Sequence, residues 1–111
     1  MKYGNRFYMQ VSRAICDEEH TKNLSVGARY LFITLNELEQ RFCGRSGNDH
    51  FLRSDQQLAE DMNVSVRSIK KYKAELREYA SDLVFMSKGR YVDRETKKKS
   101  EQEYTCYRIL R

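Results

Sequence analysis

The chain has 111 residues, of which 40% are hydrophobic and 33% charged, and its formal net charge is +5. This length predicts one domain, residues 1–111, because it supplies one hydrophobic core and not two independent ones. The longest purely apolar runs, YLFI and LVFM, are too short to cross a membrane, and no apolar signal segment follows the first basic residues. We therefore expect a globular cytoplasmic domain with no membrane partner, not a multidomain enzyme.

The cysteines and histidines offer little for chemistry. Three cysteines without a C-x-x-C pair suit a reducing compartment, and we expect them to be packing residues. Cys16 and His20, with Cys43 and His50, could be imagined as a zinc site, but the paired knuckle of such sites is missing, so we expect surface histidines and no metal. No nucleophile triad, glycine elbow or P-loop lysine is present, which predicts a non-enzyme without a cofactor.

Residues 1–23 are interpreted as an N-terminal arm, an extended segment leading into a helical turn near Ser12. A long helix follows, because Ser25 is a suitable N-cap, Gly44 a suitable stop, and apolar residues recur at spacings of four and three. These residues are Leu24, Ala28, Leu31, Leu35, Leu38 and Phe42. Further apolar residues widen the apolar face of this helix, which indicates a central helix that packs against more than one neighbour. A short coiled-coil interface with another chain remains an alternative.

Two more helices are predicted after the turn-rich stretch GRSGNDH and a brief extended FLR. The first opens with a capping box formed by Ser54 and Gln57 and ends near Met62. The second begins at Ser65 and continues to about Ala80. DLVFMSKGRYV and EYTCYRIL are then rich in β-branched and aromatic residues, which predicts two antiparallel strands joined by the charged, exposed connector DRETKKKSEQE.

The net charge is concentrated in one part of the chain. Residues 64–99 contain eleven Lys or Arg and five Asp or Glu, whereas the rest of the chain has ten basic and eleven acidic residues. Such a concentration is typical of a polyanion-binding face. The alternative is a merely solvated charged surface, which would spread the excess charge more evenly.

A helical wheel, advancing about 100° per residue, separates two faces of the last predicted helix. Leu76 falls within about 20° of Ile69, so both face the core. Arg67 and Lys71 fall on the opposite side, and Ser68 lies on its shoulder. Basic and hydroxyl side chains on one face of a helix can hydrogen-bond to base edges in the DNA major groove.

The spacing of Ala59, Asn63 and Ile69 resembles that of the helix-turn-helix family, in which a small residue, a turn residue and a β-branched residue recur. Asn63 stands where that family usually has glycine, and asparagine tolerates the left-handed conformation. With the two strands that follow, the chain resembles a winged helix-turn-helix domain. The fold class implied is α+β and mainly helical, with a three-helix core and a C-terminal β-hairpin wing over residues 82–110.

The stretch LSVGARYLFITLNELEQRF ahead of FLRSDQQLAEDMNVSVRSIKKYKAEL is also similar to the helix-turn-helix domains of plasmid and mobile-element replication initiators. This resemblance implies a duplex-DNA-binding protein that acts in replication initiation or maintenance of a plasmid or mobile element. A transcriptional regulator is the alternative, and a winged-helix protein-interaction module that binds no DNA is the second. A homodimer, and contacts with replication or transcription machinery, remain open.

The predicted DNA contacts fall into two groups. Arg67, Ser68 and Lys71 are the candidate base readers. The candidate contacts to the DNA backbone are Arg53, Ser54, Lys70, Lys73, Lys88, Arg90, Arg94, Lys97, Lys98 and Lys99. The alternative for Lys73 is that its methylenes lie along the edge of the core.

Overall fold

The computed structural model describes residues 11–44, 47–89, 95–98 and 104–110. Among these residues, a 3₁₀ helix, Arg13–Cys16, precedes four α-helices, and three strands complete a small α+β fold. The elements in chain order are α1 (Glu18–Asn23), α2 (Val26–Cys43), β1 (Phe51–Arg53), α3 (Asp55–Met62), α4 (Val66–Tyr79), β2 (Val84–Gly89) and β3 (Tyr104–Ile109).

Hydroxyl side chains fix the starts of the three longer helices, as the sequence predicts. Ser25 Oγ accepts a hydrogen bond from the Ala28 amide at the start of α2. Ser54 and Gln57 form the predicted capping box of α3. Ser65 caps α4. Each cap satisfies amides that would otherwise lack a partner in the first helical turn, which confirms these helix boundaries.

The N-terminal arm contains more helix than expected. The predicted turn near Ser12 is the 3₁₀ helix, and Ser12 Oγ accepts a hydrogen bond from the Ala14 amide. Helix α1 then forms over EEHTKN. This segment has no apolar periodicity from which a helix could be predicted. The first ten residues of the arm lie outside the described residues.

The sheet is antiparallel with strand order β1-β3-β2. The predicted hairpin pairing is confirmed, with Met86 opposite Tyr107. The short FLR segment was expected only to be extended, but it pairs with β3 on the other side, with Phe51 opposite Tyr107. This pairing protects one edge of β3, so the sheet gains a third strand from only a few residues.

The helices pack on one face of the sheet and enclose the hydrophobic core. Phe32 and Leu35 of α2, Leu58 of α3 and Leu76 of α4 are fully buried, as is Tyr107 of β3. The Tyr107 ring stacks on that of Phe51 with centroids 5.5 Å apart. The structure thus confirms an α+β domain with a helical core and a β-hairpin.

Two expectations about individual residues are wrong. His20 was expected at the surface but is only 4% exposed, because its ring lies between the Ala14 carbonyl and the Asp82 carboxylate. Cys16 was expected to pack in the interior but is exposed, since the 3₁₀ helix turns Ile15 inward instead. Within residues 11–44, 47–89, 95–98 and 104–110, no helix has the length and apolar character that a membrane crossing requires.

Candidate nucleic-acid interface

A tight turn joins α3 to α4. Asn63 adopts the predicted left-handed conformation, with φ 57° and ψ 49°, and the Val64 amide donates to the Ala59 carbonyl at 3.0 Å. Ala59 is 5% exposed and Ile69 is fully buried. The small alanine therefore occupies the junction of two consecutive helices, as the spacing of these residues predicts.

Helix α4 presents one buried and one exposed face. Ile69 and Leu76 are fully buried, whereas Arg67 and Lys71 are exposed on the other side. Arg67 and Lys71 form no ion pair with any residue in the described part of the chain. Their charges are therefore available to an external anion.

Ser68 lies beside these cations and is half-exposed. Its hydroxyl is 3.0 Å from Ser65 Oγ, and the Ser68 amide donates to the same Ser65 oxygen. If the Ser65 hydroxyl donates, the Ser68 proton remains able to reach a base edge, since a hydroxyl both donates and accepts. The structure thus brings together all three predicted base readers in the first turns of α4.

Two contacts fasten α4 to the start of α2. Glu75 accepts hydrogen bonds from the Ser25 amide at 2.8 Å and from the Ser25 hydroxyl at 2.9 Å. The Tyr72 ring lies directly on Gly27, where an added Cβ would be 2.1 Å from Tyr72 Cζ. A side chain at position 27 would therefore require the Tyr72 ring to move, and the contacts of Glu75 and Tyr72 hold α4 against the start of α2.

Lys73 differs from its expected role as a phosphate contact. The residue is 8% exposed, and its ammonium donates to Asp55 Oδ1 at 2.6 Å and to Thr105 Oγ1 at 2.7 Å. The lysine stem follows the core edge, in line with the alternative interpretation, and its charge joins α3, α4 and β3. Its geometry favours a structural role because the ammonium already has an anionic partner.

Arg53 and Ser54 are also engaged within the protein. Arg53 forms a bidentate pair with Asp61, with distances of 2.9 Å from Nε and 2.7 Å from a terminal nitrogen, and its guanidinium lies 5.6 Å from the Phe42 ring centroid. Ser54 is 4% exposed and both its amide and hydroxyl belong to the capping box. A DNA phosphate would have to compete with these partners, so the structure does not favour direct contacts from either residue.

The hairpin carries the remaining candidates. Lys88 is exposed on β2, and Lys97 and Lys98 are exposed in the connector, where Lys97 has φ 57°. Arg90, Arg94 and Lys99 lie outside the described residues. The exposure of the described lysines is compatible with contacts to phosphates.

A groove separates α4 from the hairpin, with a volume of about 590 Å³. One wall is formed by α4 residues that recur at spacings of four and three, namely Val66, Lys70, Lys73 and Arg77. The opposite wall includes Lys88 and Thr105. Helix α4 therefore has a second basic stripe, distinct from the Arg67 and Lys71 face.

Comparison of the chain with protein-family models, curated protein sequences and solved structures finds no match. Among the described residues, no group of three or more His, Cys, Asp or Glu side chains could hold a metal ion.

Sequence reasoning missed three contributors to this surface. Arg77 could have been found, because it stands seven residues after Lys70 and hence on the same side of the helix. Gly27, in the first turn of a helix, also signals a close approach. Glu75 carried no such signal, because its partner Ser25 is 50 residues away in the chain.

Proposed function

We propose that this protein is a winged helix-turn-helix protein that binds duplex DNA, with α4 in the major groove and the β2–β3 hairpin as the wing. The observation that carries this proposal is the division of α4 into a buried face and a basic face whose cations, Arg67 and Lys71, have no ion pair among the described residues. A helix fits the major groove of B-DNA, and arginine or lysine there can donate two hydrogen bonds to guanine.

The surroundings of α4 support this orientation. Ala74 and Lys71 are exposed on the same side as Arg67, and the small alanine leaves room for close approach to the DNA. Helix α3 and the turn at Asn63 hold the start of α4 at the surface, which is where helix-turn-helix proteins contact bases. Replication initiation or maintenance of a plasmid or mobile element is the proposed role, with transcriptional regulation as the alternative.

Selection of bound sequences from a random duplex pool, followed by anisotropy titrations, tests the proposal. Arg67→Ala or Lys71→Ala should weaken binding to the selected site by about 1–3 kcal/mol and weaken binding to random duplex much less. Arg41→Ala is the matched control, since Arg41 is an exposed arginine on α2 that pairs with Glu37. Equal reductions in affinity on both DNAs would refute base reading, and the absence of an anisotropy change with any duplex would refute the function.

One observation favours a second candidate, a protein-interaction module that binds no DNA. Val26, Tyr30 and Ile33 recur along α2 and are 74%, 49% and 37% exposed. Exposed apolar stripes of this kind mark protein interfaces more often than nucleic-acid interfaces. This candidate predicts that Tyr30→Ser abolishes binding of the partner protein, whereas the Arg67 and Lys71 variants leave that binding unchanged.

A further inference from the structure

His20 is buried between two hydrogen-bond acceptors that belong to different parts of the fold. The residue is 4% exposed, its Nδ1 lies 2.6 Å from the Ala14 carbonyl oxygen of the 3₁₀ helix, and its Nε2 lies 3.3 Å from Asp82 Oδ1. Asp82 lies between α4 and β2, in the turn from which the hairpin begins. One ring on α1 therefore joins the N-terminal arm to the chain that follows α4.

The two acceptors require two protons on the His20 ring. A neutral imidazole has one N–H, so its other nitrogen presents a lone pair. If that nitrogen is Nδ1, the lone pair faces the Ala14 carbonyl oxygen, and if it is Nε2, the lone pair faces the Asp82 carboxylate. Only the imidazolium donates a hydrogen bond to both partners, so the geometry of this site selects the protonated ring.

The charges around His20 favour the same protonation state. Burial by itself lowers the pKa of His20 and is the largest single effect, but the hydrogen bonds to Asp82 and Ala14 and two carboxylates together raise that pKa. Among the described residues, the charges that act on the ring are the carboxylates of Asp82, from the turn after α4, and of Glu19, from α1 itself. Loss of the proton therefore leaves a buried ring with one repulsive contact.

The neighbouring contacts limit which part of the chain depends on this proton. Between residues 11 and 23, Ile15 and His20 are the two buried side chains. Ile15 holds the arm through apolar contacts, which do not change with pH. Ser25 is fastened to Glu75 of α4 by hydrogen bonds of 2.8 Å and 2.9 Å, so α2 remains on α4 when the His20 contacts are lost.

We propose that His20 is a pH-sensitive latch, which holds residues 11–23 against the end of α4 when the ring is protonated and loosens them when it is neutral. Ser25 marks the end of the segment that moves. Docking of the arm is complete at low pH and weakens as pH rises through the pKa of the docked histidine. Each unit by which this pKa exceeds that of the released ring changes the docking equilibrium about tenfold.

NMR spectroscopy of the wild type between about pH 5 and pH 8 tests both parts of this inference. The ring nitrogen chemical shifts of His20 should show two bound protons at the lower pH, with His50 as the reference histidine in the same sample. The Leu24 amide donates to the His20 carbonyl at 2.9 Å. Its protection factor against hydrogen exchange should fall about tenfold for a one-unit difference in pKa, while that of the Ile69 amide stays constant.

Three variants separate the latch from other effects of pH. His20→Gln removes the titrating ring, so the protection factor of the Leu24 amide should no longer depend on pH. Asp82→Asn supplies an amide that can donate to an unprotonated Nε2, so the neutral ring should stay docked and protection should persist at high pH. His50→Gln is the matched control and should behave as the wild type does. Circular dichroism melting establishes that each variant is folded.

Three results would overturn the inference. If the His20 ring titrates while the protection of the Leu24 amide stays constant, the arm is docked in both protonation states. If His20→Gln loses this protection with rising pH as the wild type does, a different group controls the arm. If the ring has a single proton at the lower pH, it does not donate to both acceptors. Duplex binding is measured separately by the anisotropy titrations, so the proposed function does not depend on these results.

Discussion

Lys73→Met tests whether the Lys73 ammonium holds the hairpin to the helices. Methionine keeps an unbranched apolar stem and a similar helix propensity, so the change removes chiefly the charge and its hydrogen bonds to Asp55 and Thr105. Breaking a buried ion pair from one side costs about 3–5 kcal/mol, because the remaining charge is uncompensated. The Asp55 side chain is 25% exposed, so water offsets part of this cost, and we expect a decrease of about 1–3 kcal/mol in the free energy of unfolding.

Urea denaturation followed by circular dichroism measures this decrease. Lys70→Met is the matched control, because Lys70 is an exposed lysine on the same helix, and its change should stay within about 0.5 kcal/mol. The double variant Asp55→Asn with Lys73→Met should recover part of the stability, since it leaves no unpaired charge. If Lys73→Met is as stable as Lys70→Met and instead weakens DNA binding, Lys73 contacts phosphate and the structural role argued for it is wrong.

Three further predictions concern the turn, the buried histidine and the wing. Ala59→Leu should cost on the order of 1–3 kcal/mol of stability by overpacking the α3–α4 junction; an unchanged melting temperature would show that the helices are not in close contact there. Burial by itself lowers the pKa of His20, but hydrogen bonds to Asp82 and Ala14 outweigh it and raise that pKa above 6.5. The contribution of protonated His20 to the free energy of unfolding should therefore be complete below the unfolded pKa and be lost as pH rises through the folded pKa. Urea titrations between about pH 5 and pH 8 should show this dependence, and His20→Ala should abolish it. Changing the lysines at 97–99 to alanine should leave the fold intact and reduce the slope of log affinity against log salt by about 0.9 for each phosphate that these lysines neutralise. If the plots of the wild type and the variant superimpose, these lysines do not contact DNA.

The sequence alone predicts the three longer helices and their boundaries, because local interactions decide them. Ser25, Ser54 and Ser65 each satisfy amides of the next few residues, and Asn63 adopts the left-handed conformation within its own turn. The 3.6-residue period then distinguishes the buried Ile69 from the exposed Arg67 without knowledge of what covers the core. The same reasoning predicts both strands of the hairpin but misses α1, which has no apolar period.

Only the tertiary structure decides which charges remain available at the surface. Lys70 and Lys73 are identical residues one turn apart on α4, yet Lys70 is exposed and Lys73 is held by Asp55, which is 18 residues away in the chain. The ion pair of Arg53 with Asp61 and the contact of His20 with Asp82 could not be predicted from the sequence either, because each joins residues from different parts of the chain. Composition and periodicity specify how each residue fits its own helix, whereas an ion pair depends on where the chain brings a second helix or strand, and that is a property of the packed fold.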